Sequence, residues 1–368
     1  MNLESLVIKA TDGRLPRLER RLYLNQLSQK ISGGFPDSDS LGNGMLELLK
    51  LLKRRDAQLT QAVTFIFLEM CYNESGHLYL GFEWNDVSDD KREQIFELLV
   101  EILEEEELSY SQRQSICALI AVAGQSQFEV SEDKLVEWLS APSDALKFNV
   151  LAVLSAEIYF SCLFSKKTKI KKVAQSFLVR NDEPYLQAVA VRILARFAYE
   201  SKKEMEYIQV IFPVVSAFKD DYALAWCIEG LVVLFSCAHA SKYFPSIIEY
   251  LLGLARSEAT SPFVLRAVID SMFMISHGEA PSHYLPHVQS IVAAMLAACA
   301  REEDSPAWIT CEDQFAPDDQ AGLLVIDACD ALYALVAKMS EDQVLYHIWP
   351  ILLPVWNTWL LSDRWQCR

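Results

Sequence analysis

Residues 181–194 read NDEPYLQAVAVRIL and carry the pattern that decides the fold. The polar opening, residues 181–183, leads into Pro184, and proline is favoured in the first turn of a helix. Apolar residues then recur three and four positions apart. Within them the small Ala190 and the bulky Leu194 suit the close packing of one helix on another. The stretch therefore predicts the start of a buried α-helix that packs on a similar helix of a neighbouring hairpin.

The same apolar spacing recurs along the chain, whereas the alternating pattern of a β-strand is almost absent. The spacing is found at Ile95, Leu98, Leu99, Ile102 and Leu103, at Ile116, Leu119, Ile120 and Ala123, at Ile291, Val292, Met295, Leu296 and Cys299, and at Leu324, Val325, Ala328, Leu332, Leu335 and Val336. The sequence predicts an all-α protein.

Turn residues divide the predicted helices into pairs. The second helix of each pair is predicted to start near Pro16, Asp56, Ser109, Asp144, Asp182, Asp221, Ser261 and Ala321. Most of these steps are about 35 to 40 residues, the length of a HEAT-type helical hairpin. The sequence therefore predicts an α-solenoid of about eight to nine such hairpins, forming a curved superhelix as one domain over residues 1–368.

Two of the steps are longer than the others. The surplus residues lie in two predicted loop insertions, at about residues 72–90 and 301–320. Insertions into repeats map to loops, often on the functional face. By this spacing the chain is expected to end inside a ninth hairpin.

Composition restricts the classes of function. The chain has 368 residues, 52% of them hydrophobic, with only 12 Gly and 13 Pro, so it can bury a large core. Its formal net charge of −17 argues against a nucleic-acid binder, because phosphate binding needs clusters of Lys and Arg. Basic partners are favoured instead.

Cysteine usage and apolar runs indicate an intracellular protein. The nine cysteines are scattered, form no C-x-x-C pair and mostly lie in apolar helical patterns, as buried reduced thiols do. No long apolar run follows Met1. The most membrane-like stretch, residues 145–164, is predicted to be a buried inner helix rather than a membrane span. We expect the protein in the cytoplasm and nucleus, without membrane insertion.

The sequence lacks the motifs of nucleotide hydrolysis, hydride transfer, and serine or zinc hydrolysis. His283 and His287 are four residues apart, but Pro286 lies between them and no further ligand follows at metal-binding spacing. The carboxylates of Asp327, Asp330 and Glu229 lie in apolar helices of an acid-rich chain, where chance placement is expected. We predict that the protein is not an enzyme and needs no metal or cofactor.

Two runs of like charge stand out. Residues 104–107 are four consecutive glutamates at a predicted helix end, where negative charge opposes the helix dipole. They are either a solvated loop or part of a surface for a basic partner. The basic cluster comprises Lys166, Lys167, Lys169, Lys171 and Lys172. It is either a solvated outer helix or a contact for an acidic partner.

The second insertion, residues 301–320, reads REEDSPAWITCEDQFAPDDQ and contains seven acidic residues. The segment EEDSPAW, the helix DACDALYALVAKM and the final stretch IWPILLPVWNTWLLSDRWQCR together resemble the eighth and ninth HEAT repeats of the importin-β (karyopherin-β) family. The matched positions are Glu302, Glu303 and Asp304 of the family's acidic loop, its Trp at Trp308, and the later signature at Asp363, Trp365 and Arg368.

Two earlier stretches carry the same resemblance. Residues 82–124 are similar to the third repeat of the family, and residues 10–28 are similar to the first. The chain as a whole looks closest to importins of the Ran-binding-protein-5 type. Because these stretches occur in the family's order, the resemblance covers nearly the whole chain.

The resemblance implies transport of basic protein cargo through nuclear pores, with GTP-bound Ran releasing the cargo. In the family, the N-terminal repeats and the acidic loop contact Ran GTPase, and grooves between outer helices take Phe-Gly segments of nucleoporins. It thus implies a candidate Ran-binding loop formed by Glu302, Glu303, Asp304, Trp308, Glu312 and Asp313. The alternative is a general HEAT-repeat scaffold or adaptor of a multiprotein complex that does not bind Ran.

Overall fold

The protein is an all-α, HEAT-type solenoid, as the helical periodicity predicts. A computed structural model describes residues 2–12, 15, 17–31, 38–72, 84–105, 107–123, 128–156, 166–236, 238–277, 285–300 and 320–360. Throughout these ranges the regular structure is α-helix with short 3₁₀ and π segments, and they contain no β-strand. Each of the predicted starts of a second helix lies within two residues of an observed helix start.

Contacts between Cα atoms divide the chain into two compact units, Met1–Val173 and Ala174–Arg368. In the first unit, α4 packs on α6 and α6 on α8, while α3 packs on α5. The opening hairpin packs through both of its helices, α1 against α4 and α2 against α3. The helices of this unit are α1 (Leu3–Thr11), α2 (Arg17–Ile31), α3 (Ser38–Lys50), α4 (Ala57–Tyr72), α5 (Asp89–Glu104), α6 (Tyr110–Ala123), α7 (Phe128–Ser140) and α8 (Asp144–Ser155).

The boundary between the units falls inside the next helix, α9 (Lys167–Leu178). In the second unit four helices form one row in which each packs on the next: α10 on α12, α12 on α14, and α14 on α16. The helices of this unit are α10 (Pro184–Glu200), α11 (Glu206–Ser216), α12 (Asp221–Val232), α13 (Phe244–Arg256), α14 (Pro262–His277), α15 (Val288–Ala300), α16 (Gln320–Ala337), α17 (Glu341–Gln343) and α18 (Trp349–Leu360). A π-helical segment, Val344–Ile348, joins α17 to α18.

Turn chemistry explains where several helices begin. Ser143 is the N-cap of α8, and its side chain accepts a hydrogen bond from the backbone N–H of Leu146 at 3.4 Å. Asp220 caps α12 in the same way, accepting from Ala223 N–H at 2.8 Å. The start of α10 has Pro184 in the first turn, as predicted, but its N-cap differs from those of α8 and α12. Glu183 occupies the N-cap position but accepts no capping hydrogen bond, and Pro184 at the next position has no N–H to satisfy.

The continuous row of the second unit forms most of its core. Helix α10 is buried on most of its circumference, since the side chains from Leu186 to Ala198 are almost all inaccessible to solvent. The close approach of α10 and α12 depends on Gly230, because a Cβ atom there would lie 2.4 Å from Arg192 Cγ. A small residue at this point lets the two helices pack directly, as the alternation of small and bulky residues in α10 predicts.

The most membrane-like stretch of the sequence, residues 145–164, contains all of α8 except Asp144. The side chains from Phe148 to Leu154 are buried, which agrees with an inner helix of the solenoid. Among the described residues, no helix is both long enough and apolar enough to cross a bilayer. Residues 157–164 of the same stretch lie outside the described part of the chain.

Candidate protein-interaction surface

The residues of the predicted acidic loop lie outside the described part of the chain. This holds for Glu302, Glu303, Asp304, Trp308, Glu312 and Asp313, and for the later signature at Asp363, Trp365 and Arg368. The helices on either side of the loop, α15 and α16, are described, and they pack against each other. The insertion therefore connects two packed helices, and its assignment to a Ran contact stays a prediction. The first insertion is described only from Trp84 onwards and at Tyr72.

The glutamate run at the end of α5 is bound within the first unit. The carboxylate of Glu105 lies 2.9 Å from Nη2 of Arg55, and the carboxylate of Glu107 also pairs with this guanidinium. Arg55 belongs to the turn between α3 and α4, so these ion pairs join neighbouring hairpins. Glu106 lies outside the described residues. The described glutamates of the run thus take part in contacts between hairpins, while Glu104 and Glu107 are also exposed to solvent.

Glu104 faces the following hairpin instead. Its carboxylate lies 2.6 Å from Nζ of Lys134 and accepts a hydrogen bond from the indole N–H of Trp138 at 3.0 Å. Burial alone would raise the pKa of Glu104, but the hydrogen bonds from Lys134 and Trp138 outweigh it and hold the pKa below its ordinary value. The hydrogen bond to Glu104 raises the pKa of Lys134. Both shifts favour the charged pair, which ties α5 to α7.

Arg55 also has an unusual backbone. Its φ of 59° places it in the left-handed region, the one non-glycine residue with positive φ that the described chain contains. The Nε2 amide of Gln112 donates a hydrogen bond to the carbonyl oxygen of Arg55 at 2.9 Å, which fixes this turn against α6. The conformation points the arginine side chain at the glutamates that follow α5.

A buried arginine, Arg113 of α6, binds the C-terminal end of α5. Arg113 is only 1% exposed, and its guanidinium donates to the backbone carbonyl oxygens of Leu103 at 2.7 Å, Glu105 at 2.5 Å and Leu108 at 3.2 Å. Carbonyl groups at a helix C-terminus have no partner within the helix, so the bonds to Leu103 and Glu105 satisfy the end of α5, and the bond to Leu108 satisfies the connection to α6. Asn149 of α8 donates to the same Leu103 oxygen at 3.2 Å. The residues around the glutamate run thus form one rigid polar connection across three hairpins.

Polar contacts also join α10 to α12, the first two helices of the row in the second unit. On α10, the Arg192 guanidinium donates to the backbone oxygen of Trp226 at 2.7 Å and to the Glu229 carboxylate at 3.2 Å, and lies 5.2 Å from the indole ring centre. The Glu229 carboxylate, a candidate for acid–base chemistry, is therefore half of an ion pair that joins α10 to α12. Asp330, the other described candidate, is exposed on α16, and the side chain of Asp327 lies outside the described residues.

The other row of helices in this unit repeats one type of contact. The amide nitrogen of Gln175 on α9 donates to the Tyr207 hydroxyl at 3.4 Å, and that of Gln209 on α11 donates to the Tyr243 hydroxyl at 3.2 Å. At the next step, His287 Nδ1 lies 3.4 Å from Glu249 Oε1. His287 thus takes part in packing between hairpins, and His283, four residues earlier, lies outside the described residues.

The described cysteines divide into buried and exposed thiols. Burial raises the pKa of the Cys117 and Cys227 thiols far above the ordinary range, as expected for inert core residues. Cys329 is exposed on α16. Within the described ranges, no three His, Cys, Asp or Glu side chains come together as a metal site would require.

The last helices of the second unit expose large apolar side chains to solvent. Helix α18, which the sequence connects to the importin signature, belongs to this surface. The exposed residues are Tyr333 and Val336 on α16, Leu345 and Tyr346 on the π segment, and Trp349, Leu353 and Trp356 on α18. Exposed apolar surface of this kind is typical of regions that contact other proteins.

Comparisons with known proteins agree at the level of the fold. No family model matches the chain, and no curated protein matches it by sequence. Solved structures of Kap121p match almost the whole length of this chain. The structure of Kap121p bound to Pho4p matches at 16% identity, with a TM-score of 0.50, over 99% of this chain and 35% of that one. A mutant of Kap121p matches at the same identity and TM-score over 100% of this chain and 34% of that one.

The likeness is one of fold. Because this chain spans about a third of the length of the Kap121p structures, the comparison covers only part of those proteins. At this identity it supports a karyopherin-like helical solenoid, and it does not distinguish the Ran-binding-protein-5 type from other importins. The resemblance to importins of the Ran-binding-protein-5 type therefore rests on the sequence alone.

Proposed function

We propose that the chain is a segment of a nuclear transport receptor of the importin-β type, which binds Ran GTPase and protein cargo or nucleoporins through its HEAT-repeat surface. The observation that carries this proposal is the likeness of fold to Kap121p over 98–100% of the chain, including the structure that is bound to Pho4p. The order of the acidic loop and the later Asp-Arg-Trp segment supports it from the sequence. A net charge of −17 suits basic cargo.

The acidic loop is the proposed contact for Ran. Carboxylates on a connection between α15 and α16 attract a basic protein face over roughly a Debye length, which is about 8 Å at physiological salt. Such charges raise the association rate and fix the register of the complex. The loop joins two helices that pack on each other, so its two ends are held at fixed positions of the solenoid.

The proposal is tested by a pull-down with Ran loaded with GTP or with GDP. We expect binding to the GTP form and little to the GDP form. Replacing Glu302, Glu303 and Asp304 by lysine should weaken the binding and reduce its dependence on salt, because three attractive charges become repulsive.

A matched control reverses three exposed acidic residues elsewhere in the second unit, Glu206, Asp221 and Glu258. This variant makes the same change in net charge away from the loop. Equal loss of binding in both variants would show that only net charge matters. Equal binding of both nucleotide forms, or none, would remove Ran from the proposal.

One observation favours the second candidate function, a general HEAT-repeat scaffold without Ran binding. Glu104, Glu105 and Glu107 are all engaged by basic or indole groups of the first unit, so this acidic run is used for internal rigidity. A scaffold needs only such rigidity and an exposed surface. Absence of any nucleotide-dependent Ran binding, with an intact helical fold, would favour it.

A further inference from the structure

Positive charge is concentrated in one segment of this acidic chain. The whole chain carries 50 acidic and 33 basic residues, whereas residues 145–181 contain seven basic residues and a single acidic one, Glu157. Five of the seven are the basic cluster at the start of α9. A charge distribution this uneven creates a local field of opposite sign to that of the protein as a whole.

The structure places three of the lysines on solvent-facing positions. Lys166, Lys169 and Lys172 are exposed, and they are spaced three residues apart, so that successive members are neighbours on the helix surface. The opposite side of α9 is apolar, with Ile170 and Phe177 buried. The helix is thus anchored by one face and presents the lysines on the other.

These three ammonium groups are not used in ion pairs within the described structure. None of Lys166, Lys169 and Lys172 lies within salt-bridge distance of a carboxylate among the residues that the structure describes. Among the described residues, Lys169 Nζ donates to one group, the neutral hydroxyl of Ser140, at 3.0 Å. By contrast, Lys134 and Lys53 each lie 2.7 Å or less from a glutamate oxygen.

The lysines do not help α9 to fold. Cations in the first turns of a helix oppose its dipole, and like charges three residues apart repel each other by a few tenths of a kcal/mol. The first turn of α9 contains no acidic residue that would offset this cost. A local cost offset within the described structure by one exposed hydrogen bond, that of Lys169 to Ser140, is expected at functional positions.

We propose that Lys166, Lys169 and Lys172 form a docking surface for a short acidic segment of a partner protein. The three side chains cover about two helical turns, or roughly 10 Å, which matches a few consecutive carboxylates. A longer polyanion, such as a nucleic acid or an anionic bilayer, would extend beyond this patch over a chain that is otherwise strongly acidic and would be repelled. This surface is independent of the proposed binding of basic cargo and of Ran.

The test is fluorescence anisotropy with a labelled peptide of ten glutamates as the probe. The variant K166Q/K169Q/K172Q should bind the peptide about tenfold more weakly, because three charge-assisted contacts of modest strength are lost. The matched control K202Q/K203Q/K338Q removes three lysines at exposed positions elsewhere and should bind as the parent protein does. The variant K166R/K169R/K172R keeps the charges and should retain binding.

Helix content by circular dichroism must be unchanged in all three variants, and binding of GTP-loaded Ran serves as a separate readout that this surface should not affect. Equal binding of the peptide by the two glutamine variants would overturn the proposal. So would a preference for a single-stranded oligonucleotide or for phosphatidylserine vesicles over the peptide, since the patch would then serve another polyanion.

Discussion

Arg113 donates a hydrogen bond of 2.7 Å from its buried guanidinium to the backbone carbonyl oxygen of Leu103 at the end of α5. Two further carbonyl groups, those of Glu105 and Leu108, accept from the same side chain. An arginine in a helical core is rare because a buried charge must be fully hydrogen-bonded to be tolerated. Here the end of α5 and its connection to α6 supply the acceptors, so the side chain of Arg113 on α6 holds the two helices together.

Replacing Arg113 by methionine should destabilise the protein by about 2–4 kcal/mol, because buried carbonyl groups lose their hydrogen-bond donors. Methionine is chosen because its long, unbranched side chain still fills much of the space. The measurement is urea unfolding followed by circular dichroism. Arg180→Met is the control, since Arg180 pairs with Asp182 at an exposed position and should contribute no more than about 1 kcal/mol. Similar losses in both variants would contradict the role of Arg113.

The Glu104–Lys134 pair predicts a pH dependence of stability. The pKa of Glu104 is lower in the folded protein than its ordinary value of 4.5. Its contribution is therefore fully present above about pH 4.5 and is lost as the pH falls through the folded pKa. The pKa of Lys134 is raised, so its contribution is present below the ordinary value of 10.5 and is lost as the pH rises through the folded pKa.

Glu104→Gln should accordingly be less stable than the parent protein at pH 7 and should lose less stability between pH 5 and pH 3. Unfolding by urea at a series of pH values measures this difference. Glu97→Gln, at an exposed position of the same helix, is the control and should follow the parent curve. Parallel curves for the parent and Glu104→Gln would show that the pair has no such effect.

The left-handed backbone conformation of Arg55 can be tested by comparing two substitutions of this residue. Arg55→Gly and Arg55→Ala both remove the ion pairs with Glu105 and Glu107. Only glycine is free of steric cost at a φ of 59°, so the alanine variant should be less stable than the glycine variant by about 1 kcal/mol. Thermal unfolding of the two variants side by side measures the difference. A more stable alanine variant would contradict the assigned conformation.

Two helical glycines should respond to alanine in opposite directions. At Gly230 a Cβ atom would lie 2.4 Å from Arg192 Cγ, so Gly230→Ala should destabilise the protein by about 1–3 kcal/mol through overpacking of α10 on α12. At Gly253 on α13 nothing lies within 4 Å of that position. Gly253→Ala should therefore stabilise the protein by about 0.5–1 kcal/mol, through the higher helix propensity of alanine. Differential scanning calorimetry of both variants tests the pair, and shifts of the same sign would contradict it.

The sequence predicts the positions of the helices well because the signals are local. Turns such as residues 141–144 combine a proline with capping side chains, and the apolar spacing after them repeats every three to four residues. The start of α8 at Asp144 and that of α12 at Asp221 follow directly. Local chemistry of this kind does not depend on the rest of the chain.

The polar connection around α5 could not be predicted in this way. Arg55 and Glu105 are fifty residues apart, and nothing in a spacing pattern shows that they meet. Arg113 lies in a polar opening, Tyr-Ser-Gln-Arg-Gln, that looks solvent-exposed by itself. The available signal is the glutamate run, whose conflict with the helix dipole at the end of α5 indicates that some positive group compensates it. The candidate Ran-binding loop, being outside the described residues, still depends on its sequence alone.

The row formed by α10, α12, α14 and α16 has a consequence for how the second unit folds. Each helix of this row packs on the next one, which begins only about 40 residues later in the chain, or about 60 in the case of α16. Native contacts between near neighbours have low contact order, and chains dominated by them fold quickly for their size. Hydrogen exchange should then show protection that declines stepwise from the centre of the row to its ends, because opening can begin at a terminal hairpin and spread to the next.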